Sequence, residues 1–474
     1  MTTQSKRLAV ALFTLASLTA IAFAGDADRG PRVSTRPNPS PLVETHTAGV
    51  APILAGEPNK HSNSRRSHSA RGAVELDVET IEGLILVPVR MTGPSGVDTS
   101  GLLVLDTGAG FVALDLPVAL RLGVADSDDP VSGVELAEHA LDRLELGNLE
   151  IDHVDPVLVL DAEIIRRATG RNVLGLAGVS AFRGRGLWLD YDAGTLTILD
   201  SPRSPNADDD DETAVARSRE VFESRLSSHA RAARFDMAGD EKMIVRARLA
   251  SASHVAENPW LDLVLDTGAT KSVLFEPDFS ESVPEASTWR SLRGLVAPTL
   301  VGAADAKLML APIVDLEPAD HGAPIRRREV DCAVVESDLG TTISSAVGST
   351  VYGLLGYSFL RDSRIGIDCT NHVVWLDPTG MHDERPYEYS QVGLQLERVG
   401  DAVRVLAVAE DSPAEQAGIE VGDELVTLAG KAAAQQELVT LTRALEGPPG
   451  TRVKVVMRRD DKRTTYTLVR RRLL

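Results

Sequence analysis

The chain has 474 residues, a length that suits about three domains. Its formal net charge of −20 argues against non-specific binding to nucleic acid and favours solubility. Charged residues make up 25% of the chain and aromatic residues 4%, so an ordinary soluble protein is predicted, and the fold has to be argued from the pattern along the chain.

Residues 1–24 have the pattern of a secretory signal peptide. Lys6 and Arg7 supply a positive start, residues 8–22 are apolar with small side chains, and the AFA sequence at 22–24 fits an A-x-A cleavage site. The alternative is an uncleaved membrane anchor, but the apolar run is short for a span. No other stretch is long and apolar enough to cross a bilayer. We therefore expect an exported protein, periplasmic or extracellular, with no stable membrane span after cleavage.

Residues 25–72 are rich in Pro, Ser, Arg, His and Asn and lack an apolar period. This composition predicts a disordered segment. The segment is either a simple tether or a pro-segment that occupies a cleft before activation. We favour the tether, because the segment contains no strong amphipathic stretch.

A strand-rich unit is predicted over residues 73–200. Residues 74–78 alternate between apolar and polar, and Gly83 separates them from the apolar run 84–89, which together indicate a hairpin. Residues 130–138 are the predicted site of a flap, a mobile hairpin over a cleft.

A seven-residue string, LVLDTGA, ends the next predicted strand at residues 103–109 and returns unchanged at 263–269, which is 160 positions later (266 − 106). Each copy is followed by a second glycine motif, around Gly178 in the first case and Gly356 in the second. Such a repeat indicates an internal duplication. The second unit is therefore placed at residues 235–380.

Each repeat presents one carboxylate, Asp106 or Asp266, on a glycine-rich turn after an apolar strand. Two carboxylates that face each other cannot both ionise cheaply, so one holds a proton while the other stays charged. The charged group can deprotonate a shared water, and the protonated group can donate to a carbonyl oxygen. The same pairing is already known from the dyad of aspartic proteases, and the duplication makes Asp106 and Asp266 candidate catalytic residues.

The residues that follow each aspartate suit a support role. Gly108 and Gly268 allow the backbone to come close to a partner turn or a substrate. Thr107 carries a hydroxyl that can hydrogen-bond across to the other turn, and Thr267 occupies the same position in the second copy.

Between the two units lies a predicted acidic linker, residues 201–234. The four consecutive aspartates at 208–211 lack the alternating ligands and the glycine turn of a calcium loop, so a solvated linker is favoured over a calcium site. Residues 213–233 have the composition of a helix between the units. In the second unit, residues 299–310 are the predicted site of the other flap.

The two cysteines, Cys332 and Cys369, both lie in the second unit. In an exported protein an isolated pair suggests a disulfide. The alternative is two buried thiols on strands that never meet, and the sequence leaves both open. Two cysteines make no zinc site, and the histidines show no HExxH pattern. We therefore predict neither a metal nor a cofactor.

Residues 386–474 have a sequence pattern different from that of the two repeated units. The SPAEQAG string reads as a capped helix, with Ser412 as N-cap, Pro413 in the first turn and Gly418 as the stop, and a VGDEL turn follows it. This segment resembles a PDZ domain of the bacterial type. The resemblance implies an α+β fold that binds a peptide end as an added strand.

The PDZ resemblance also implies where a peptide would bind. The groove would lie between the strand after Gly393 and the helix around Leu438, and the amides of Val392, Gly393 and Leu394 would receive the terminal carboxylate. The alternative is a module that only packs on the other units and binds nothing. We favour peptide binding.

The two repeated units resemble aspartic proteases of the retropepsin-like type, fused in tandem over about residues 73–378. The motifs are two apolar residues followed by Asp-Thr-Gly-Ala, and later two apolar residues followed by glycine, LAG at 176–178 and LLG at 354–356. The resemblance implies barrel-like lobes, flaps over a cleft, and peptide bonds as substrate. We therefore expect a mostly β protein with two pseudo-symmetric retropepsin-like acid-protease lobes followed by the PDZ domain.

The function implied is that of an exported aspartic endopeptidase that acts on peptides or unfolded proteins without a metal or cofactor. Both turns end in alanine, Ala109 and Ala269, where pepsin-like sites carry a hydroxyl residue. Loss of that hydrogen bond leaves the carboxyl pKa values less depressed. We predict a pH optimum nearer neutral than that of pepsin, with one macroscopic pKa between roughly 4 and 6.

Two other functions stay open. The lobes could form a catalytically idle peptide clamp with the PDZ domain as the working module. Each lobe could instead be half of a homodimeric site, although one chain already supplies both halves.

Overall fold

The computed structural model describes residues 73–131, 133–201, 211–299, 302–320, 322–380 and 385–474. The predicted signal peptide and disordered segment, residues 1–24 and 25–72, lie outside this part of the chain. Strands account for 48% of the residues and helices for 17%, which confirms the prediction of a mostly β protein. None of the helices in the ranges given is long and apolar enough to cross a membrane.

The first half of the repeat, residues 73–200, contains two short helices and a 3₁₀ turn at Val179–Phe182. The helices are α1 (Leu116–Leu122) and α2 (Glu163–Thr169). The strands are β1 (Ala73–Asp77), β2 (Glu79–Ile81), β3 (Leu84–Thr92), β4 (Asp98–Leu105), β5 (Val112–Asp115), β6 (Val134–Leu136), β7 (Leu141–Leu146), β8 (Leu149–Val154), β9 (Val157–Leu160), β10 (Val173–Ala177), β11 (Arg185–Asp190) and β12 (Thr195–Asp200).

A helix, α3 (Asp211–Phe222), precedes the second half of the repeat, residues 231–378. The second half contains α4 (Asp278–Ser282), a 3₁₀ turn at Pro284–Thr288, α5 (Leu339–Val347) and α6 (Tyr357–Leu360). Its strands are β13 (Arg231–Arg234), β14 (Asp236–Ala238), β15 (Lys242–Ala250), β16 (Leu261–Leu265), β17 (Ser272–Glu276), β18 (Ser291–Thr299), β19 (Gly302–Leu316), β20 (Ile325–Glu336), β21 (Gly353–Leu355), β22 (Ser363–Asp368) and β23 (Val373–Pro378).

The C-terminal segment has two helices, α7 (Pro413–Gln416) and α8 (Leu438–Leu445), and a 3₁₀ turn at Ala433–Gln435. Ser412 caps α7 as predicted, because its hydroxyl accepts the Glu415 N–H. The strands are β24 (Ser390–Gln391), β25 (Leu394–Val399), β26 (Ala402–Val408), β27 (Glu424–Leu428), β28 (Lys431–Ala432), β29 (Arg452–Arg459), β30 (Lys462–Val469) and β31 (Arg471–Arg472).

The two halves share the strand crossing that carries each Asp-Thr-Gly turn. In the first half β4 runs parallel to β10, which is antiparallel to β5. In the second half β16 runs parallel to β21, which is antiparallel to β17. The strand before each turn is therefore held in the middle of its sheet. The amide of Asp106 donates to Ala177 O and the amide of Asp266 to Leu355 O, both at 3.1 Å.

A third sheet joins the halves. Its order is β1-β12-β11-β22-β23-β13, so three of the described strands come from each half. The central contact pairs β11 with β22 antiparallel, with Leu187 opposite Ile367. The closing strand of each half is thus not an independent edge, because both halves meet through their final hairpins. Sequence periodicity does not indicate that these hairpins pair with each other.

The linker region is more ordered than a solvated linker would be. Helix α3 packs on the shared sheet through Phe222, which is fully buried, and the indole N–H of Trp375 donates to Ser218 at 2.8 Å. Residues 231–234 form β13 at the edge of that sheet. The predicted helix over 213–233 is thus correct at its start and wrong at its end. The acidic run at 208–210 lies outside the described residues.

The sequence left the pairing of the cysteines open, and one further prediction needs correction. Cys332 lies on β20 and Cys369 follows β22, which are strands of different sheets, and both cysteines are free thiols. The disulfide is therefore not formed, and burial raises the pKa of both thiols. The first predicted flap, 130–138, is not a hairpin in the described residues, because β6 pairs with β9. The second flap region does form a hairpin, β18–β19, in which Thr299 is opposite Gly302.

Candidate functional site

Asp106 and Asp266 lie against each other at the contact between the two halves. Both side chains are fully buried. Gly268 packs directly on the Asp106 carboxyl, since a Cβ at position 268 would lie 2.6 Å from Asp106 Cγ. Only glycine fits there. The two halves of the repeat therefore bring one carboxylate each to a single place.

The two threonines cross-link the turns. Thr107 N–H donates to the Thr267 hydroxyl at 3.1 Å, and Thr267 N–H donates to the Thr107 hydroxyl at 3.0 Å. Each hydroxyl then donates to the opposite strand, to Leu265 O at 2.8 Å and to Leu105 O at 3.0 Å. The cross-turn bond expected of Thr107 is present, and it has a symmetric counterpart that fixes the distance between the carboxylates.

The two carboxylates are held differently by their own turns. Asp106 Oδ1 accepts the N–H groups of Gly108 at 2.9 Å and Ala109 at 3.0 Å. Asp266 Oδ1 accepts the Gly268 N–H at 2.8 Å. Backbone N–H groups favour the charged form of a carboxyl group. The first turn therefore suits a carboxylate better than the second turn does.

Burial and the neighbouring Asp106 raise the pKa of Asp266 well above its ordinary value. Desolvation disfavours the charged form, and a second negative charge nearby would disfavour it further. The pair titrates as a unit, so it holds one proton over a pH range in which two exposed aspartates would hold none. One acid and one base are thus present side by side.

Different groups surround the two turns. Next to the first turn lie Lys242 and Asp240, both buried, with Lys242 Nζ 3.3 Å from Gly108 O and 3.1 Å from Asp240. Near Asp266 lie the rings of Tyr191 and Tyr357, whose centroids are 5.1 Å apart. Sequence reasoning missed these residues. The available signal was Lys242, a charged residue at a strand position where the first half has an apolar one.

The residues predicted to form the PDZ groove lie on or next to β25 and α8. Val392, Leu394 and Leu438 are buried, and Gly393 has a φ of +85°, a conformation that favours glycine. A Cβ on Gly393 would also lie 2.2 Å from Ser412 Cβ. The loop that was predicted to receive a carboxylate is therefore held in one conformation by the cap of α7.

The C-terminal segment touches both halves. On the second half, the Gln395 side chain bonds both backbone groups of Val296 on β18, at 2.9 and 2.8 Å. On the first half, Glu82 pairs with Arg443 of α8 at 3.0 Å. A small cavity lies at the junction with the second half, between Leu394 of the groove strand and the β18–β19 hairpin.

A buried charge network ties the segment to the second half near Asp266. Lys271 Nζ lies 2.5 Å from both Asp331 and Glu388. Burial alone would lower the pKa of Lys271, but the two carboxylates raise it. Burial alone would raise the pKa of Glu388, but Lys271 and Arg385 lower it to about 2. Nothing in the local sequence links residues 271 and 388, so this network was not predicted.

No three His, Cys, Asp or Glu side chains of the described ranges come together in a way that could hold a metal ion.

Comparison with known proteins identifies one module. The PDZ domain family model matches residues 404–459, so the chain carries a PDZ domain within the predicted 386–474 segment. None of the curated proteins matches the chain.

Several solved structures are similar to parts of the chain. A photosystem II D1 C-terminal processing protease is 31% identical over 18% of this chain and 24% of its own, with a TM-score of 0.18. The chain thus spans about a quarter of that protein. Basic 7S globulin from soybean is 13% identical over 65% of this chain and 95% of its own, with a TM-score of 0.37. The PDZ domain of a carboxy-terminal protease from Vibrio cholerae, in complex with peptide, is 21% identical over 18% and 94%, with a TM-score of 0.17.

Proposed function

We propose that the chain is an aspartic endopeptidase of the two-lobe, retropepsin-like kind, with Asp106 and Asp266 as its catalytic pair. The observation that carries the proposal is the convergence of two buried aspartates, one from each Asp-Thr-Gly turn, in which burial and the charge of Asp106 raise the pKa of Asp266. A fold that only clamps peptides has no need to bury two carboxyl groups together, because the burial is unfavourable.

The chemistry follows from the shared proton. The charged carboxylate takes a proton from a bound water while the water oxygen attacks the carbonyl carbon of the peptide bond. The protonated carboxyl group donates its proton to the carbonyl oxygen, which gives a tetrahedral diol. The diol then collapses as the C–N bond breaks. The nitrogen takes the proton that the first carboxylate accepted from water, and a diol hydroxyl gives its proton to the other carboxylate. The cycle leaves the pair with one proton again, so no metal or cofactor is required.

The pair accounts for a two-sided pH profile. At low pH the base is protonated, and at high pH neither Asp266 nor its partner keeps a proton. The value of kcat/KM therefore falls on either side of the optimum. Because burial raises the pKa of Asp266, we place the optimum nearer neutral than that of pepsin. An optimum at or below about pH 2 would contradict this assignment.

The PDZ domain supplies the second part of the proposal, which is binding of a peptide end at the groove between β25 and α8. The family match supports this part. The residues proposed to contact the peptide are Val392, Gly393 and Leu394 on the strand side and Leu438 on the helix side. We also propose that the protein is exported, on the pattern of residues 1–24 alone.

The test is cleavage of casein, an unfolded protein substrate, between about pH 3 and 8. Wild type is compared with Asp106→Asn, with Asp266→Asn and with wild type plus pepstatin. We expect wild type to cut and each variant to lose at least about 10³-fold in kcat/KM, because each carboxyl group has its own proton transfer. Equal cleavage by all samples would identify a contaminant. No cleavage by wild type, even after removal of residues 25–72, would favour the idle clamp with a working PDZ domain.

A further inference from the structure

Lys242, the first residue of β15, is a buried cation beside the first Asp-Thr-Gly turn. Its side chain is 1% exposed, and its Nζ lies 3.3 Å from Gly108 O and 3.1 Å from the Asp240 carboxylate. A buried ion costs several kcal/mol to desolvate unless it is paired and hydrogen-bonded. Lys242 belongs to the second half, yet its carbonyl partner, Gly108, belongs to the first.

The carbonyl that Lys242 contacts is part of a chain of bonds to a candidate catalytic residue. Gly108 C=O and Ala109 N–H belong to the same peptide group, and that N–H donates to Asp106 Oδ1 at 3.0 Å. A cation on the carbonyl oxygen polarises the peptide group and strengthens the bond that its N–H donates. Lys242 therefore acts on Asp106 through one peptide unit, without touching the carboxylate.

The second turn has no equivalent of this arrangement in the described structure. Lys242 occupies the position in β15 that Leu84 occupies in β3. Two residues further along these strands, Ile244 pairs with Val264 and Leu86 pairs with Val104. Val264 and Val104 each lie two positions before the aspartate of their turn. Leu84 is buried and has no group to donate. The two turns are identical in sequence, so the asymmetry comes from this neighbouring strand.

We propose that Lys242 is a positioning residue that makes Asp106 the charged member of the pair. On this proposal, which rests on the proposed function, Asp106 is the base that takes the proton of the attacking water. Asp266 is then the acid that donates to the carbonyl oxygen. The bond chain runs from Lys242 Nζ through the 108–109 peptide to Asp106 Oδ1.

The other titratable groups around the pair do not reverse this bias. Burial raises the pKa of Asp240, and the charge of Lys242 opposes that shift. Lys242 also lowers the pKa of Asp266, but this effect is smaller than the increase caused by burial and by Asp106. Glu241, on the same turn, is paired with Arg183. On the other side, burial raises the pKa of Tyr191, which therefore stays neutral beside Asp266.

Tyr357 is the remaining titratable neighbour on that side, and it packs on the ring of Tyr191. A phenol carries no charge at the pH values at which carboxyl groups titrate. Charged groups lie near both turns: Lys242 with Asp240 beside the first, and Lys271 with Asp331 and Glu388 near the second. Lys242 differs in that it bonds a carbonyl oxygen of the turn itself.

The first test is a titration that does not depend on activity. ¹³C NMR of aspartate-labelled protein follows Asp106 in the Asp266→Asn variant and Asp266 in the Asp106→Asn variant. We expect Asp106 to titrate at the lower pH. The double change Lys242→Met and Asp240→Asn leaves no unpaired buried charge, and it should raise the pKa of Asp106 by about half a unit or more. The pKa of Asp266 should rise by less than about half of that amount.

Two further variants keep the titration decisive. Lys242→Arg retains the cation and should keep the offset between the two aspartates, which also covers a double variant that fails to fold. Leu84→Met, at the matching position of the first half, should move neither aspartate. An Asp106 titration that ignores the loss of Lys242, or that shifts equally in Leu84→Met, would overturn the proposal.

The kinetic test uses the complete chain. In the double variant, the acid limb of the kcat/KM profile should move up by the same amount, while KM at the optimum stays within about twofold. An unmoved acid limb would overturn the role of Lys242 even if casein is cleaved. If wild type cleaves nothing, the proposed function fails, and the NMR offset still decides whether Lys242 biases the pair.

Discussion

The two halves of the molecule carry the same turn in different surroundings. Residues 103–109 and 263–269 are identical in sequence, lie on equivalent strand crossings and exchange symmetric threonine bonds. Around the first turn lies a buried ion pair, Lys242 with Asp240, whereas aromatic rings lie near the second. Duplication thus explains why the two turns are identical, and the divergence of neighbouring strands is the reason that we propose for a difference in charge between the two carboxyl groups.

The halves also differ in how they hold the C-terminal segment. The second half uses a buried network around Lys271, five residues after Asp266 (271 − 266). The first half uses the partly exposed Glu82, which pairs with Arg385 and Arg443. Buried charges depend strongly on their partners, whereas exposed pairs contribute little. The PDZ segment should therefore be tied energetically to the second half.

The largest effect is expected from Lys271→Met. This change leaves Asp331 buried without the Lys271 cation, while Glu388 keeps Arg361 and Arg385, so it should lower the free energy of unfolding by about 3–5 kcal/mol. Urea unfolding followed by circular dichroism measures the change. A loss below about 1 kcal/mol would show that the network is solvated and that the two halves hold the segment alike.

A smaller effect, equal in the two halves, is expected from the threonines. Thr107→Val leaves the Thr267 N–H and Leu265 O without their partners, and Thr267→Val does the same to the Thr107 N–H and Leu105 O. Each change should lower the free energy of unfolding by about 2–4 kcal/mol. Thermal and urea unfolding of both variants should agree within about 1 kcal/mol. A clear difference would break the symmetry that the bonds indicate.

A pH-dependent effect is expected from the aspartates. A folded-state pKa raised above its unfolded value, as for Asp266, stabilises the protein below the unfolded pKa, and that stability is lost as pH rises through the folded pKa. Asp266→Asn should therefore gain stability relative to wild type between pH values of about 4 and 7, by roughly 1.4 kcal/mol per unit of raised pKa. Melting temperatures across this range measure the gain.

The matched variant sharpens that comparison. In Asp106→Asn, Asp266 stays buried with a single N–H bond from its own described turn. The gain in stability of this variant should therefore be smaller than that of Asp266→Asn. Equal gains in the two variants would mean that the surroundings of the turns do not distinguish the carboxyl groups.

The smallest effect is expected from Glu82→Gln, which removes the charge that pairs with Arg385 and Arg443. The side chain is 24% exposed, so the free energy of unfolding should change by less than about 1 kcal/mol. Urea unfolding measured beside Lys271→Met provides the comparison. A loss of unfolding free energy as large as that of Lys271→Met would mean that the two halves hold the C-terminal segment equally strongly.

Much of the candidate site could be predicted from the sequence because its signal is local and repeated. An apolar strand that ends in Asp-Thr-Gly is visible in seven letters, and its second copy pointed to Asp266 as the partner of Asp106. The PDZ helix was equally visible, since Ser412 and Pro413 form a local cap. In each case the residues that give the signal are neighbours in the chain.

The remainder depends on contacts between distant residues. The pairing of β11 with β22 could not be predicted, because periodicity identifies a strand but does not select its partner edge. Residues 231–234 have helical composition but complete the shared sheet as β13, so tertiary pairing overrides local preference there. Lys242 stands out only when β15 is compared with β3 of the first half, where the matching residue is Leu84. The position of Lys242 matters only because it crosses to the turn of the other half.

A single site made by both halves of one chain is the central feature proposed for this protein. The most direct measurement is casein cleavage by Asp106→Asn and Asp266→Asn, assayed separately and as an equimolar mixture. We predict that wild type cleaves, that each variant is inactive and that the mixture stays inactive, because each chain then lacks one carboxyl group of its own site. Activity that returns in the mixture would place the site between two chains and contradict the single-chain site.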